Sequence, residues 1–422
     1  MRVRLAYGET GLDVELPDDR STVIVPLHQQ PAPDATAEVV RALRAPLAGR
    51  PLREIVQRGQ TVAISICDGT RAQPRHIVVP AILAELDGIV ALDDVVLLVA
   101  TGTHRGNSPE ELRAMLGDEV VDSVRIVNHD ARDDASLAWV GRLGADVPVW
   151  LNREWLDADV RITTGFVEPH FFAGFSGGPK MVAPGLAGLE TVLTLHDAAR
   201  IGHPDARFGV LDGNPVHDDV RAIAAATGTD FTLDVIVDGR QEVVQAFGGP
   251  LDVAHRAACA VAKQTAMRAV PQRFDIVVTT NSGFPLDQNL YQAVKGMSAA
   301  AQVVKQGGTI VCAAECRDGF PAHGSFRDEL TALASPQLLL DAIAAREQTV
   351  PDQWNVQVQA SIQSAARVVM HTSYLSDADL AAAHLEQTRD IGAFVEEALE
   401  TAGSAARVCV LPEGPQTIPY VA

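Results

Sequence analysis

Lysine is almost missing from this chain: of 34 basic side chains only Lys180, Lys263, Lys295 and Lys305 are lysine, and the rest are arginine. Where positive charge alone is wanted, the sequence uses arginine. A lysine that persists is therefore a candidate for a task needing an amine that can lose its proton and act as a nucleophile or tether. Lys263 ("AVAKQTAMRAV") and Lys305 ("AAAQVVKQGG") fall on or at the end of expected helices, where a solvated charge is the ordinary role. Lys180 in "GFSGGPKMVAPG" and Lys295 in "QAVKGM" sit beside glycines at polar-apolar boundaries, and these two carry the functional interest.

Other shortages narrow the field. Positive charge is scarce, with a net charge of −20 over 422 residues, so neither nucleic acid nor an anionic membrane is an expected partner. Long apolar runs are missing too. The most apolar stretch, "GIVALDDVVLLVATG", is interrupted by Asp93 and Asp94 and falls short of the ~20 residues a membrane helix requires. The opening "MRVRLAYGETGLDVELPDD" has no continuous apolar core of the kind a secretory signal needs, and a cytoplasmic location is expected. Five cysteines, an odd number without CxxC spacing, suit a reducing compartment and offer no zinc site. Cys312, in "TIVCAAE", is expected to pack inside a strand.

What is present is an alternation of apolar strands and helices, the pattern of an α/β protein with mostly parallel sheets. "QTVAISI" is a strand delivering "CDGTR" to its C-terminal end, followed by the helix "RHIVVPAILAEL". "DVVLLVA" delivers "TGTHRGNS", and the next helix starts with Ser108 as N-cap and Glu111 as its capping-box partner. "ADVRITTG" delivers "FVEPHFFAGFSGGPK". Open α/β sheets bind ligands at such strand ends, which singles out Asp68–Arg71, His104 and His170. A second unit follows the helical stretch "PLDVAHRAACAVAKQTAMRAV", with strands at "FDIVVTT", "GGTIVCAAE" and "ARVCVLPEG". The expected division is 1–270, carrying these loops, and 271–422, with the last helix or strand free to pack back on the first part. The site is expected in the cleft between them.

Two familiar glycine motifs fail. "GFSGGPK" is not a triphosphate loop, because Pro179 precedes the lysine and Met181 replaces the hydroxyl residue after it; no G-x-G-x-x-G turn follows a strand. Among twelve histidines, His104, His170 and His196 stand out: two at strand ends and one sixteen residues past Lys180. The other nine, His323 among them, read as ordinary surface, capping or helix residues. Imidazole suits both proton transfer and metal ligation, though no HxH or HxxxH pair occurs. Arg71 and Lys295 could clamp a carboxylate or form structural ion pairs; Gln292, three residues before Lys295, shares its helical face.

The segments "CDGTR", "ATGTHR", "EPHFFAGFSGGPKMVAPGLAGLETVLTLH", "PLDQNLYQAVKG" and "DQWNVQ", in this order, resemble the nickel-dependent lactate racemase family. The resemblance implies a racemase or epimerase of a 2-hydroxy acid, working by reversible hydride transfer from C2 to a nickel pincer nucleotide. It implies that this nucleotide is tethered to Lys180, with His196 as nickel ligand and Asp68, Gly69, Thr70 and Arg71 as its contacts. It assigns His104 and His170 to acid/base work, and Arg71, Gln292, Lys295, Tyr291 and Trp354 to the substrate. Cofactor-building enzymes are the implied maturation partners. Two departures, Ala72 where proline is frequent and "HRGNS" after His104, point to an altered substrate pocket. Cofactor-free proton-transfer racemisation and non-catalytic nickel or cofactor binding are the alternatives.

Overall fold

Along Val62–Cys67 all six residues are buried. Ile64 and Ile66 join one apolar cluster with Val39, Leu43, Val78, Ile82 and Leu86, while Ala63 joins another with Leu98, Leu195, Val220 and Ile223. A strand buried on both faces needs helices on both, which is the setting of a parallel sheet. The computed structural model, which describes residues 1–321 and 324–422, has this architecture; His323 lies outside the described residues. The chain divides into two α/β units: His28–His196 with Asp205–Lys263, and Met1–Leu27 with Asp197–Pro204 and Gln264–Ala422.

In the first unit six strands lie in the order Val243–Gly249, Phe231–Val237, Val160–Phe166, Val62–Cys67, Val95–Ala100, Arg125–Asn128. All neighbours are parallel except the antiparallel edge pair Phe231–Val237 and Val243–Gly249. From Val62–Cys67 the chain builds outward through residues 95–100 and 125–128, then returns to the other side of that strand at Val160–Phe166. The reversal leaves a crevice at the C-terminal ends of 62–67 and 160–166, the usual ligand position in open α/β sheets. Here the Asp68 loop and the "EPHFF" segment emerge. Ser108 and Glu111 form the expected capping box on the helix Pro109–Leu116.

The second unit holds a fully parallel sheet in the order Glu386–Gln387, Arg367–His371, Val304–Ala313, Phe274–Thr280, Val408–Leu411, Ser21–Val23. Its outermost strand comes from the start of the chain, which corrects the expected 1–270 grouping. Ser21–Val23 meets its backbone hydrogen-bonding needs against Val408–Leu411. Val3, Leu5, Tyr7, Val14 and Leu16 pack on Ile276, Val278 and Val311. Near residue 270 the expected helix ends at Ala266, and Met267–Val270 pairs with the terminal strand Ile418–Val421. Lys305 likewise lies in a strand rather than at a helix end, with its ammonium 2.9 Å from Asp275. All five cysteines are buried and unbonded. No helix among the described residues is long and apolar enough to cross a membrane.

Candidate active site

The loop after Val62–Cys67 is wound around one carboxylate. Asp68, 3% exposed, accepts from the Thr70 N–H at 3.1 Å and the Thr70 hydroxyl at 2.6 Å through Oδ1, while Oδ2 lies 2.6 Å from His104 Nδ1. The Arg71 N–H closes the turn on the Asp68 carbonyl at 3.2 Å. Burial alone would raise the Asp68 carboxyl, but the His104 hydrogen bond, the Arg71 charge and the Thr70 hydroxyl together hold it well below the carboxylate range. His104 reaches this position because Val95–Ala100 pairs directly with Val62–Cys67, Cys67 opposite Ala100. Two residues from different loops thus make an aspartate–histidine pair.

The same loop is braced by side chains other than those singled out in the sequence. Arg75 donates to the carbonyls of Asp68 at 2.9 Å and Arg71 at 3.2 Å. Gln73 accepts from the Cys67 N–H and donates to Thr164, both at 2.9 Å, binding the two strands that flank the crevice. Asn107 accepts from the Gly69 N–H at 3.3 Å. Gln73 and Arg75 directly follow "DGTR", so proximity was an available signal; Asn107 belongs to the noted "HRGNS".

Beyond Val160–Phe166 a second group forms. His170 stacks on Phe171 at 4.9 Å and meets the edge of Phe172 at 4.5 Å; its Nδ1 accepts from the Ala173 N–H at 3.2 Å and the Phe172 N–H at 3.5 Å. Phe172 also meets Lys180, whose ammonium lies 5.8 Å from the ring centre, and His196, with ring centres 5.3 Å apart. His196 caps the helix Leu189–Leu195 and is 8% exposed. Its Nδ1 donates to the Val192 carbonyl at 2.7 Å, the tautomer that leaves a lone pair on Nε2.

Lys180 rests on a tightly packed base. Gly177 (φ +71) and Gly178 (φ +51) occupy the left-handed region, and a Cβ at Gly178 would overlap the His255 ring. Below them Asp234, fully buried, accepts from the Gly178 N–H at 3.2 Å. His255 Nε2 donates to the Ser176 carbonyl at 2.9 Å and the ring stacks on His217 at 5.7 Å. Burial pushes His217 down to about 3 and His255 to about 4, and the Asp234 carboxyl up to about 7. The folded value of Asp234 lies above the 3.8 of an unperturbed carboxyl, so this group's stabilisation is present at low pH and is lost as pH rises through about 7. Asp234→Asn is therefore expected to gain stability relative to the parent by a few kcal/mol between about pH 5 and about pH 8. Thermal melts across that range check it; a difference independent of pH counts against it. The one sequence sign of this buried carboxylate is an aspartate between apolar residues in "FTLDVIV".

In the other unit Gln292 and Lys295 lie on the helix Leu290–Ala301, where Tyr291, Gln292 and Lys295 are half-buried while Ala293, Val294 and Gly296 are buried. Tyr291 accepts through its hydroxyl from Trp354 Nε1 at 3.2 Å, so the two aromatic residues assigned to the substrate are in direct contact.

Among the described residues no three His, Cys, Asp or Glu side chains converge on a point that could hold a metal ion. A bare ion held by protein alone is therefore a poor fit. One imidazole with its lone pair on Nε2, and one amine near the same phenylalanine ring, fit a metal that arrives inside an organic group and brings further donors of its own.

Residues 7–209 match the family model for the lactate racemase N-terminal domain, and residues 270–418 match that for the lactate racemase C-terminal domain. The chain is similar to the lactate racemase of Thermoanaerobacterium thermosaccharolyticum, 34% identical over 422 residues, covering 99% of this chain and 98% of that one. It is similar also to the lactate racemase of Lactiplantibacillus plantarum, 37% identical over 380 residues and 89% of each chain. The solved lactate racemase apoprotein from Thermoanaerobacterium thermosaccharolyticum superposes with a TM-score of 0.92 at 33% identity, covering 99% of this chain and all of that one. A Thermotoga maritima protein, at 20% identity and a TM-score of 0.70 over 94% of this chain and all of that one, shares the fold.

Proposed function

The chain belongs to the lactate racemase family and is an isomerase, and on that premise we propose that it interconverts the enantiomers of a 2-hydroxy acid, lactate first among them, on a nickel pincer nucleotide tethered to Lys180. The observation that carries this reading is the pairing of Lys180 with His196 around Phe172, the imidazole in its metal-ligating tautomer. Lys180 would hold the group covalently, and His196 would supply the protein's ligand to nickel through Nε2. When bound, that group supplies a hydride acceptor and donor for C2 of the substrate.

The remaining work falls to the chain's own residues. Asp68 holds His104 by Nδ1, directing the opposite nitrogen to the substrate hydroxyl as a proton acceptor. His170 addresses the oxygen of the other enantiomer, since inversion at C2 presents the hydroxyl from a second direction. Arg71 offers a guanidinium fork to the carboxylate; Gln292, Lys295, Tyr291 and Trp354 complete the substrate contacts in this reading. Holding the planar keto acid in place is part of the function, because a released intermediate would leave the hydride behind. Enzymes that build the nucleotide are the maturation partners.

Racemisation in heavy water, followed by chiral chromatography and mass analysis, tests this. Hydride return leaves C2 free of solvent deuterium, and product carrying deuterium at C2 in step with turnover sinks the reading in favour of cofactor-free proton transfer.

A further inference from the structure

The two acid/base histidines face opposite chemistry at Nδ1. At His104 the neighbour is the Asp68 carboxylate, 2.6 Å away, held ionised by its surroundings and able only to accept; the proton belongs on Nδ1 and the lone pair on Nε2. At His170 the neighbours are the N–H groups of Ala173 at 3.2 Å and Phe172 at 3.5 Å, able only to donate; the lone pair belongs on Nδ1, and the neutral ring keeps its proton on Nε2. The turn that supplies those amides has little room to rearrange. His170 is packed against both Phe171 and Phe172. Gly174 closes the turn at φ +77, where a Cβ would overlap the Val210 carbonyl.

Building on the racemase reading above, we propose that the two histidines enter catalysis in opposite tautomers: His104 is the ready proton acceptor, with Asp68 as its positioning residue, and His170 is a hydrogen-bond donor that polarises the substrate oxygen. When the hydroxyl of one enantiomer passes its proton to His104 Nε2, the ring becomes an imidazolium beside the ionised Asp68. As hydride leaves C2 for the acceptor proposed above, the hydroxyl oxygen becomes a carbonyl oxygen. It then requires a donor rather than a base, and a neutral imidazole N–H can fill that role. When hydride returns to the other face, the new hydroxyl takes the Nε2 proton of His170 as Nδ1 gains one from solvent, and His104 Nε2 gives its proton back to solvent; this step, and its reversal for the opposite enantiomer, require the 172 and 173 amides to turn away from Nδ1. The two enantiomers have equal free energy, so kcat/KM is the same in both directions; the extra step shows instead in kcat and KM separately, changed by a common factor.

Nitrogen NMR of histidine-labelled apoprotein reads the tautomers directly, with signals assigned by their disappearance in His104→Gln and His170→Gln. The expected result is a protonated Nδ1 and bare Nε2 for His104, and the reverse for His170; the same tautomer in both overturns the proposal. In Asp68→Asn, whose carboxamide can donate as well as accept, the His104 pattern should change while that of His170 stays. Loaded enzyme should lose about 10- to 100-fold in kcat, and Asp68→Glu should restore the protonated-Nδ1 pattern. A His104 pattern indifferent to Asp68→Asn also overturns it. Failure of the racemase reading would appear elsewhere, as solvent deuterium at C2 or no adduct on Lys180, neither of which bears on the apoprotein's tautomers.

Discussion

Lys180→Arg is expected to abolish racemisation to the level of a no-enzyme control and to leave no covalent adduct in the intact mass of protein produced alongside the cofactor-building enzymes. The substitution is chosen to separate charge from nucleophilicity. Arginine keeps the positive charge near the Phe172 ring, 5.8 Å from the Lys180 ammonium, and guanidinium stacks on aromatic faces at least as well as ammonium. What it cannot do is give up its proton to form an amide-type bond. Lys180 is only partly buried and the packed base of Gly177, Gly178, Asp234 and His255 lies behind it, so the thermal melt should match that of the parent closely. Activity within tenfold of the parent, or an adduct that persists, would remove lysine tethering from the mechanism.

His104→Ala should cost about 10²- to 10⁴-fold in kcat, the range for losing a positioned general base or acid, while the adduct on Lys180 forms as before. That contrast matters, because it separates proton handling from cofactor attachment: His104 pairs with Asp68, whereas Lys180 and His196 gather around Phe172. The same substitution removes a hydrogen bond that keeps the buried Asp68 carboxyl low. Asp68 therefore contributes stability above about pH 4 that fades as pH falls through its depressed folded value, and His104→Ala should shrink this contribution. Steady-state rates by chiral chromatography, intact mass and melts between about pH 3 and about pH 7 measure the three effects. A rate within a few-fold of the parent would show that His104 does not handle the proton.

The parts of this fold that the sequence announces are those written locally. "QTVAISI", "DVVLLVA" and "ADVRITTG" are apolar runs ended by turn residues, and each forms the strand it suggests, with its loop at the C-terminal end. Lys180, singled out by its rarity, lies beside Phe172 and the glycine pair. What the sequence conceals depends on pairing at a distance. Asp68 and His104 are 36 positions apart, and no spacing rule says that the carboxylate grips an imidazole rather than a ligand. Asp234 is one polar letter in a strand, and its place under Gly178 follows only from the register with Val160–Phe166, which sets it opposite Gly165. The first 27 residues carry no local mark of their allegiance to residues 408–411, so a boundary drawn along the chain assigned them to the wrong unit.

That allegiance has a consequence for how the protein is made. Ser21–Val23 has its sheet partner in Val408–Leu411, almost the whole chain later, so the start of the polypeptide leaves the ribosome hundreds of residues before the strand it pairs with is synthesised. Residues 28–263 can meanwhile assemble around their own sheet, whereas Val3, Leu5, Val14 and Leu16 stay without their apolar partners until the last strands appear. Contacts of such sequence separation close late and slowly. Synthesis of residues 408–411, rather than completion of the unit that carries Lys180, then becomes the event that lets the second sheet close.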